Sequence, residues 1–160
     1  MDKVQTNRRY FEETFRIREI TGESMKLNMK LLPGIYSVIQ VKDISKINFE
    51  KFKESFFNLC ITDDEISVLL NGDYSELIEE KINEETGFKC LKIEGVLDFG
   101  EIGIIAEISR ILAKEEISIF VISTYNTDYV LVKENKIAHA IHVLKENQIN
   151  ISEISTQVLC

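Results

Sequence analysis

Residues Gly95 to Val132 read GVLDFGEIGIIAEISRILAKEEISIFVISTYNTDYVLV. Ile104, Ile105, Ile108, Ile111 and Leu112 recur at spacings of three and four, which predicts a helix from Glu101 to about Glu115, with Glu107, Arg110 and Lys114 on its other face. A glycine-bearing turn, Gly95 to Gly100, precedes it. Ile117 to Thr124 (ISIFVIST) has the β-branched and aromatic content of a strand, Tyr125-Asn126-Thr127 of a turn, and Asp128 to Val132 of a returning strand. A helix start between two polar turns suits a small zwitterion. Its unpaired amides and partial positive charge meet a carboxylate, while nearby acids take an ammonium. The stretch therefore points to binding and not to catalysis.

Working outward, Phe88 to Ile93 reads as a strand and Lys133 to Gln148 as a helix burying Ile137, Ala140, Ile141 and Leu144. Ile149, Ile151, Ile154 and Val158 would add one or two strands at the end. Upstream, Leu31-Leu32-Pro33-Gly34 is expected as a turn and Ile35 to Val41 as a strand. A helix capped by Ser45 or Asn48 would run to about Phe57, carrying Phe49, Phe52 and Phe56 on one face. Leu59 to Thr62 and Glu65 to Leu70 form a hairpin around Asp63-Asp64, ended by Asn71-Gly72-Asp73, and Tyr74 to Ile82 is expected as two helical turns.

Strand, helix, strand, strand, helix, strand is the split βαβ, or ferredoxin-like, order, and it occurs twice. The expected class is α+β, with two tandem βαββαβ units and antiparallel sheets covered by helices on one face. The first copy shows no evident fourth strand between Ile82 and Phe88, so the C-terminal tail is expected to close one of the sheets. The expected organisation is an extension over 1–24, a divergent first unit over 25–87 and a second unit over 88–160. The extension holds a loose stripe of Tyr10, Phe11, Phe15, Ile17 and Ile20, ended by Thr21-Gly22-Glu23-Ser24.

Composition narrows the function classes. The 160 residues carry 27 acids against 19 bases, a net charge of −8, which opposes phosphate-rich partners. Arg8, Arg9, Arg16 and Arg18 do cluster, but Glu12, Glu13 and Glu19 interleave them, as on a mixed helix surface. No segment approaches the ~20 consecutive apolar residues of a membrane span, and the first residues lack a secretory apolar core. A cytoplasmic protein is expected, with neither nucleic acid nor membrane as partner. Cys60, Cys90 and Cys160 are odd in number and far apart, which suggests neither a disulfide framework nor a zinc site.

Four motifs carry a family resemblance: Leu31-Leu32-Pro33-Gly34-x-Tyr36; Thr62-Asp63-Asp64-Glu65-x-Ser67-Val68; Glu94-Gly95-x-Leu97-Asp98-Phe99 with Gly103; and Ser118 to Val132. Together they resemble the small tandem ACT-domain proteins, similar to the ACT repeats of aspartate kinase and of the cytosolic arginine sensors. The match spans about residues 27 to 148, the last motif being the most diagnostic. The resemblance implies a regulatory fold that takes a free amino acid at ACT-ACT interfaces, without cofactor, in a homo-oligomer, most simply a dimer, with a regulated enzyme as a further partner. Its ligand loop falls on Asp98, Phe99, Gly100, Glu101, Ile102, Gly103 and Ile104. Many family members carry a proline where this chain has Ile102, a departure that leaves the turn less rigid and bears on affinity more than on fold.

Each candidate also has a plain structural reading. Gly100 and Gly103 would let amides approach a carboxylate, or merely serve a tight loop and close helix packing. Asp98 and Asp128 would receive an ammonium or basic side chain, or act as an Asx turn and a turn cap. Thr124, Tyr125, Asn126 and Thr127 would recognise a side chain, or simply be polar hairpin residues. His139 and His142, three apart, lack a third ligand and read as a solvated face, and Asp63, Asp64 and Glu65 read as a charged turn without EF-hand spacing. Ser109, Ser118 and Ser123 have no placed base, so neither a catalytic residue nor a metal site is expected. The rival reading is a ferredoxin-like protein-protein interaction module with no small-molecule ligand. An acylphosphatase-like enzyme would need an arginine in the Asp98 to Ile104 turn, and RNA binding a basic aromatic sheet motif.

Overall fold

The structure, a computed structural model, describes residues 27–97 and 102–153. Eight strands form one sheet: β1 (Leu27–Leu31), β2 (Tyr36–Val41), β3 (Asn58–Ile61), β4 (Ile66–Asn71), β5 (Lys81–Ile93), β6 (Ile119–Ser123), β7 (Asp128–Lys133) and β8 (Ile149–Glu153). Among the described residues there are two α-helices, α1 (Ile104–Lys114) and α2 (Glu134–Glu146), both in the second half of the chain. The class is mixed α+β as expected, but a single sheet replaces the expected separate ones.

The 13-residue β5 unites that sheet. Its first part pairs with β2 (Tyr36 opposite Phe88, Ile39 opposite Glu84), and its last part with β1 (Met29 opposite Ile93, Leu31 opposite Leu91). Strand β7 pairs with residues 88–92 of the same strand. Phe88 thus has both Tyr36 and Lys133 as partners, and Leu91 both Leu31 and Val130, so β1 and β2 follow one another along one edge of β5 while β7 holds the other. The β2 ladder slips between Tyr36 and Val38, where Gly87 sits at φ +78. An extra residue in one strand forms a β-bulge, and glycine takes this left-handed conformation without Cβ strain.

Several expectations are corrected. The missing fourth strand of the first half is the beginning of β5, running through residues 81–88. Residues expected as a turn from Leu31 begin at the end of a strand, since Leu27–Leu31 is β1. The expected helix to Phe57 is a 3-10 turn, Phe49–Phe52, although Asn48 does cap it, its Oδ1 accepting from the Glu50 N–H at 3.2 Å. Tyr74 to Ile82 is likewise not a helix. Gly72–Leu77 forms a 3-10 turn capped by Asn71, and the chain then extends into β5. The tail does join the sheet, as β8 running parallel to β1, which makes the sheet mixed and not purely antiparallel. Residues 154–160, including Ile154 and Val158, lie outside the described residues, as does the 1–24 extension.

Packing follows the strand alternation. On one face, Leu27, Met29, Leu91, Ile93, Val130, Val132, Ile149 and Ile151 meet Ile104, Ile108, Ile111 and Leu112 of α1 and Ala140, Val143 and Leu144 of α2. In the first half, Ile39, Val41, Val68 and Leu70 are covered by Ile47, Phe52 and Ile78 from the short turns, where Phe52 stacks on Phe57 at 4.8 Å. The opposite side of the sheet gathers Tyr36, Leu69, Phe88, Cys90, Ile122 and Leu131, with Phe56 stacked on Tyr129 at 4.1 Å. Burial among these apolar groups pushes the Tyr36 phenol up to about 12, with smaller contributions from Cys90 and Tyr129, and pushes the Cys90 thiol up to about 12 as well.

Two outcomes follow for stability. Leu91→Ala, at a fully buried position, should cost about 2–5 kcal/mol in chemical denaturation. Ile82→Ala on the same strand, at a site 55% exposed, should change stability by no more than about 0.5 kcal/mol. The fold favours neutral Tyr36 and Cys90, so their contribution is complete below the ordinary values of 10.0 and 9.0 and is lost as pH rises toward about 12. A pH series of thermal midpoints should fall over that window, and less steeply in Tyr36→Phe.

Candidate functional site at the start of helix α1

Helix α1 begins, among the described residues, without a side-chain cap. Gly103 occupies the N-cap position at φ 88 and ψ 4, and its carbonyl accepts the first helical bond, from the Glu107 N–H at 2.9 Å. Among the described residues no side chain caps the first-turn amides, so a bound anion is one way to satisfy them, favoured by the helix dipole. A Cβ built on Gly103 would meet nothing within 4 Å, so space is open there and the left-handed backbone alone demands glycine. Ile104 anchors this turn in the core, whereas Ile102 is 43% exposed.

The second turn is fixed from beneath. Thr127 is buried, and its hydroxyl donates to the Ile93 carbonyl at 2.8 Å. Its own carbonyl accepts from the Thr124 N–H at 2.9 Å and from the Thr124 hydroxyl at 2.7 Å, closing the hairpin between Ser123 and Asp128. The two turns then meet: the Leu97 N–H donates to the Asn126 carbonyl at 2.9 Å. Leu97 packs its side chain on the helical core, so the bond holds the chain entering α1 against the hairpin. Asn126 and Tyr125 are exposed and Asp128 is half-buried.

Of the expected site residues, Ile102, Gly103 and Ile104 lie at the helix start and Thr124, Tyr125, Asn126, Thr127 and Asp128 at the hairpin. Asp98, Phe99, Gly100 and Glu101 lie outside the described residues. Sequence reading placed Leu97 in a motif and Ile93 at a strand end without naming either as a site residue, because they act through a backbone amide and a carbonyl and so leave no side-chain signal. Thr127 has its hydroxyl committed to the scaffold and shapes the turn. Elsewhere, His139 faces Glu115 at 3.1 Å and His142 faces Glu146 at 3.4 Å. Thr62 Oγ1 accepts from the Asp64 and Glu65 amides, as a tight charged turn requires. No group of three His, Cys, Asp or Glu among the described residues is arranged to hold a metal, and none of the described helices is long and apolar enough to cross a membrane.

Comparison with known proteins converges on this region. The ACT domain model matches residues 83–146. The cytosolic arginine sensor for mTORC1 subunit 1 of Homo sapiens is 31% identical over 119 residues, 71% of this chain and 36% of that protein. The chain therefore spans about a third of the length of that relative. A structure from Agrobacterium tumefaciens aligns with a TM-score of 0.70 at 25% identity, covering 81% of this chain and 95% of its own. The ligand-free regulatory subunit of aspartate kinase from Thermus thermophilus shares the fold, with a TM-score of 0.56 at 11% identity over 78% of this chain and 99% of that one. Residues 83–146, which include the α1 start and the Thr124–Thr127 hairpin, thus match the ACT domain model, in a chain similar in sequence to the cytosolic arginine sensor and in fold to an aspartate kinase regulatory subunit.

Proposed function

We propose that this is a non-catalytic, cytoplasmic regulatory protein of two tandem ACT-type units, residues 25–87 and 88–160, that senses a free amino acid. The observation that carries the reading is the bond from the Leu97 amide to the Asn126 carbonyl, which ties the chain leading toward α1 to a polar hairpin, while among the described residues no side chain caps that helix. The α-carboxylate would take the first-turn amides at Gly103 and Ile104. Asp128, together with Asp98 from the loop Asp98-Phe99-Gly100-Glu101, would take the ammonium or a basic side chain. The relatives named as arginine sensors make arginine the first ligand to test.

An ACT surface of a second copy completes the site in this reading. Val96 at 77% exposure, Ile102 at 43% and Tyr125 at 80% expose apolar surface on the segments that carry the site, which supports a packing partner there. The ligand would act by differential affinity, stabilising one packing of the two surfaces over another, and a regulated enzyme would read out that packing.

A thermal-shift screen of the intact chain against the twenty amino acids, followed by calorimetry, tests this proposal. Binding to the native state alone adds about 2.7 kcal/mol at 100-fold excess over Kd, a rise of several degrees in the midpoint. One amino acid, arginine first, should give that rise. Asp128→Ala and Gly103→Val should each remove it, the first by deleting the charge partner and the second by straining the left-handed turn. A flat screen at millimolar concentration would favour the interaction module instead.

A further inference from the structure

The sheet side opposite the helices carries a feature that the amino-acid site leaves unused. Five half-buried lysines lie among the described residues: Lys30, Lys81, Lys89, Lys92 and Lys133. Lys81 is paired with Glu84, Lys133 with Glu85, and Lys89 donates to the Gly34 carbonyl at 3.1 Å. Among the described residues Lys30 and Lys92 have no carboxylate within ion-pair distance, although they stand directly opposite one another across the β1·β5 ladder, with the Lys92 ammonium over the Tyr129 ring at 5.9 Å from its centroid. Like charges so placed destabilise a sheet. The register continues the row through five strands: Ser152 opposite Lys30, Lys30 opposite Lys92, Lys92 opposite Tyr129, and Tyr129 opposite Ile122. Glu94 and Asn28 lie one row along, joined by the Glu94 N–H to Asn28 carbonyl bond at 2.8 Å.

We propose that Lys30 and Lys92, in one cross-strand row with Tyr129, bind a compact doubly charged oxyanion with the chemistry of a phosphate monoester. Opposed residues of a hydrogen-bonded antiparallel pair have Cα atoms about 5.5 Å apart, so both ammonium groups reach one tetrahedral anion. Each then makes a charge-assisted bond, and the ligand offsets the repulsion that the bare pair carries. Burial raises the Tyr129 phenol above its ordinary range, so it stays protonated and donates. The Tyr129 ring is already stacked on Phe56 at 4.1 Å, which leaves it poorly placed to stack a nucleobase and disfavours single-stranded nucleic acid.

Calorimetric titration of the full chain with glycerol 2-phosphate and with inorganic phosphate, at constant ionic strength, tests the site. Neither probe carries an amino or carboxylate group, so failure here is distinct from failure of the amino-acid reading. Saturable binding is expected, weakening as pH falls through the second phosphate ionisation at about 6. Lys30→Gln and Lys92→Gln should each weaken it about tenfold, Lys92→Arg should retain it, and Lys145→Gln on α2 should leave it unchanged. A stronger response to the ester assigns a phosphorylated metabolite, and an equal response assigns free phosphate. Thermal midpoints with and without phosphate provide a second readout, expected to rise for the native chain and not for Lys30→Gln/Lys92→Gln. No saturable binding, undiminished binding in that double variant, or tighter binding of a short oligothymidylate would overturn the assignment.

Discussion

The antiparallel pairing along β5 is the constraint on which the other elements depend. Residues 81–88 hold β2, and through it β4 and β3, while residues 91–93 hold β1, and through it β8. The far edge of residues 88–92 holds β7 and then β6. One strand therefore fixes both halves of the molecule in a single hydrogen-bonded frame, with Gly87 absorbing the register slip where β2 meets it. The helices contribute by burial and not by framing. They cover only the second half, where Leu91 and Ile93 give the inner face of β5 something to pack against.

The candidate site inherits its geometry from that frame. Ile93, the last residue of β5, accepts the Thr127 hydroxyl and so sets the height of the hairpin, and four residues on Leu97 ties the chain to Asn126 before α1 begins. The hairpin and the chain at Leu97 are thus positioned by backbone groups and one buried threonine, and in the proposed site Asp128, Asn126 and the helix amides would meet the ligand. Preorganisation of this kind lowers the cost of binding, because the polar groups need not be gathered when a ligand arrives.

The second half was legible in the sequence because its periodicities are strong. The isoleucines of α1 repeat at helical spacing, and ISIFVIST and DYVLV have few alternatives to strand. The first half was not, for two physical reasons. Lys81 to Thr86 (KINEET) is polar and largely exposed, so β5 is held there by its ladder to β2 and by contacts such as Asn83 to Gln40 at 2.7 Å, which no hydrophobic pattern announces. Phe49, Phe52 and Phe56 have helical spacing, but the structure uses them separately. Phe52 enters the core beneath β2 and β4, whereas Phe56 turns away to stack on Tyr129. β1 did alternate, Leu27 and Met29 buried and Asn28 exposed, over a stretch too short to stand out. At the site, Gly103 and the hairpin were visible as residue types, whereas the bond that ties Leu97 to the hairpin runs between main-chain atoms.

The most direct test of the account is amide hydrogen exchange of the intact chain with each free amino acid in turn. If a ligand sits between the helix start and the hairpin, one amino acid should slow exchange at Ile104 and Ile105 and, together with them, at residues 124–128, while β3 and β4 keep their rates. Protection confined to other parts of the sheet, or a ligand that binds without changing either turn, would contradict it.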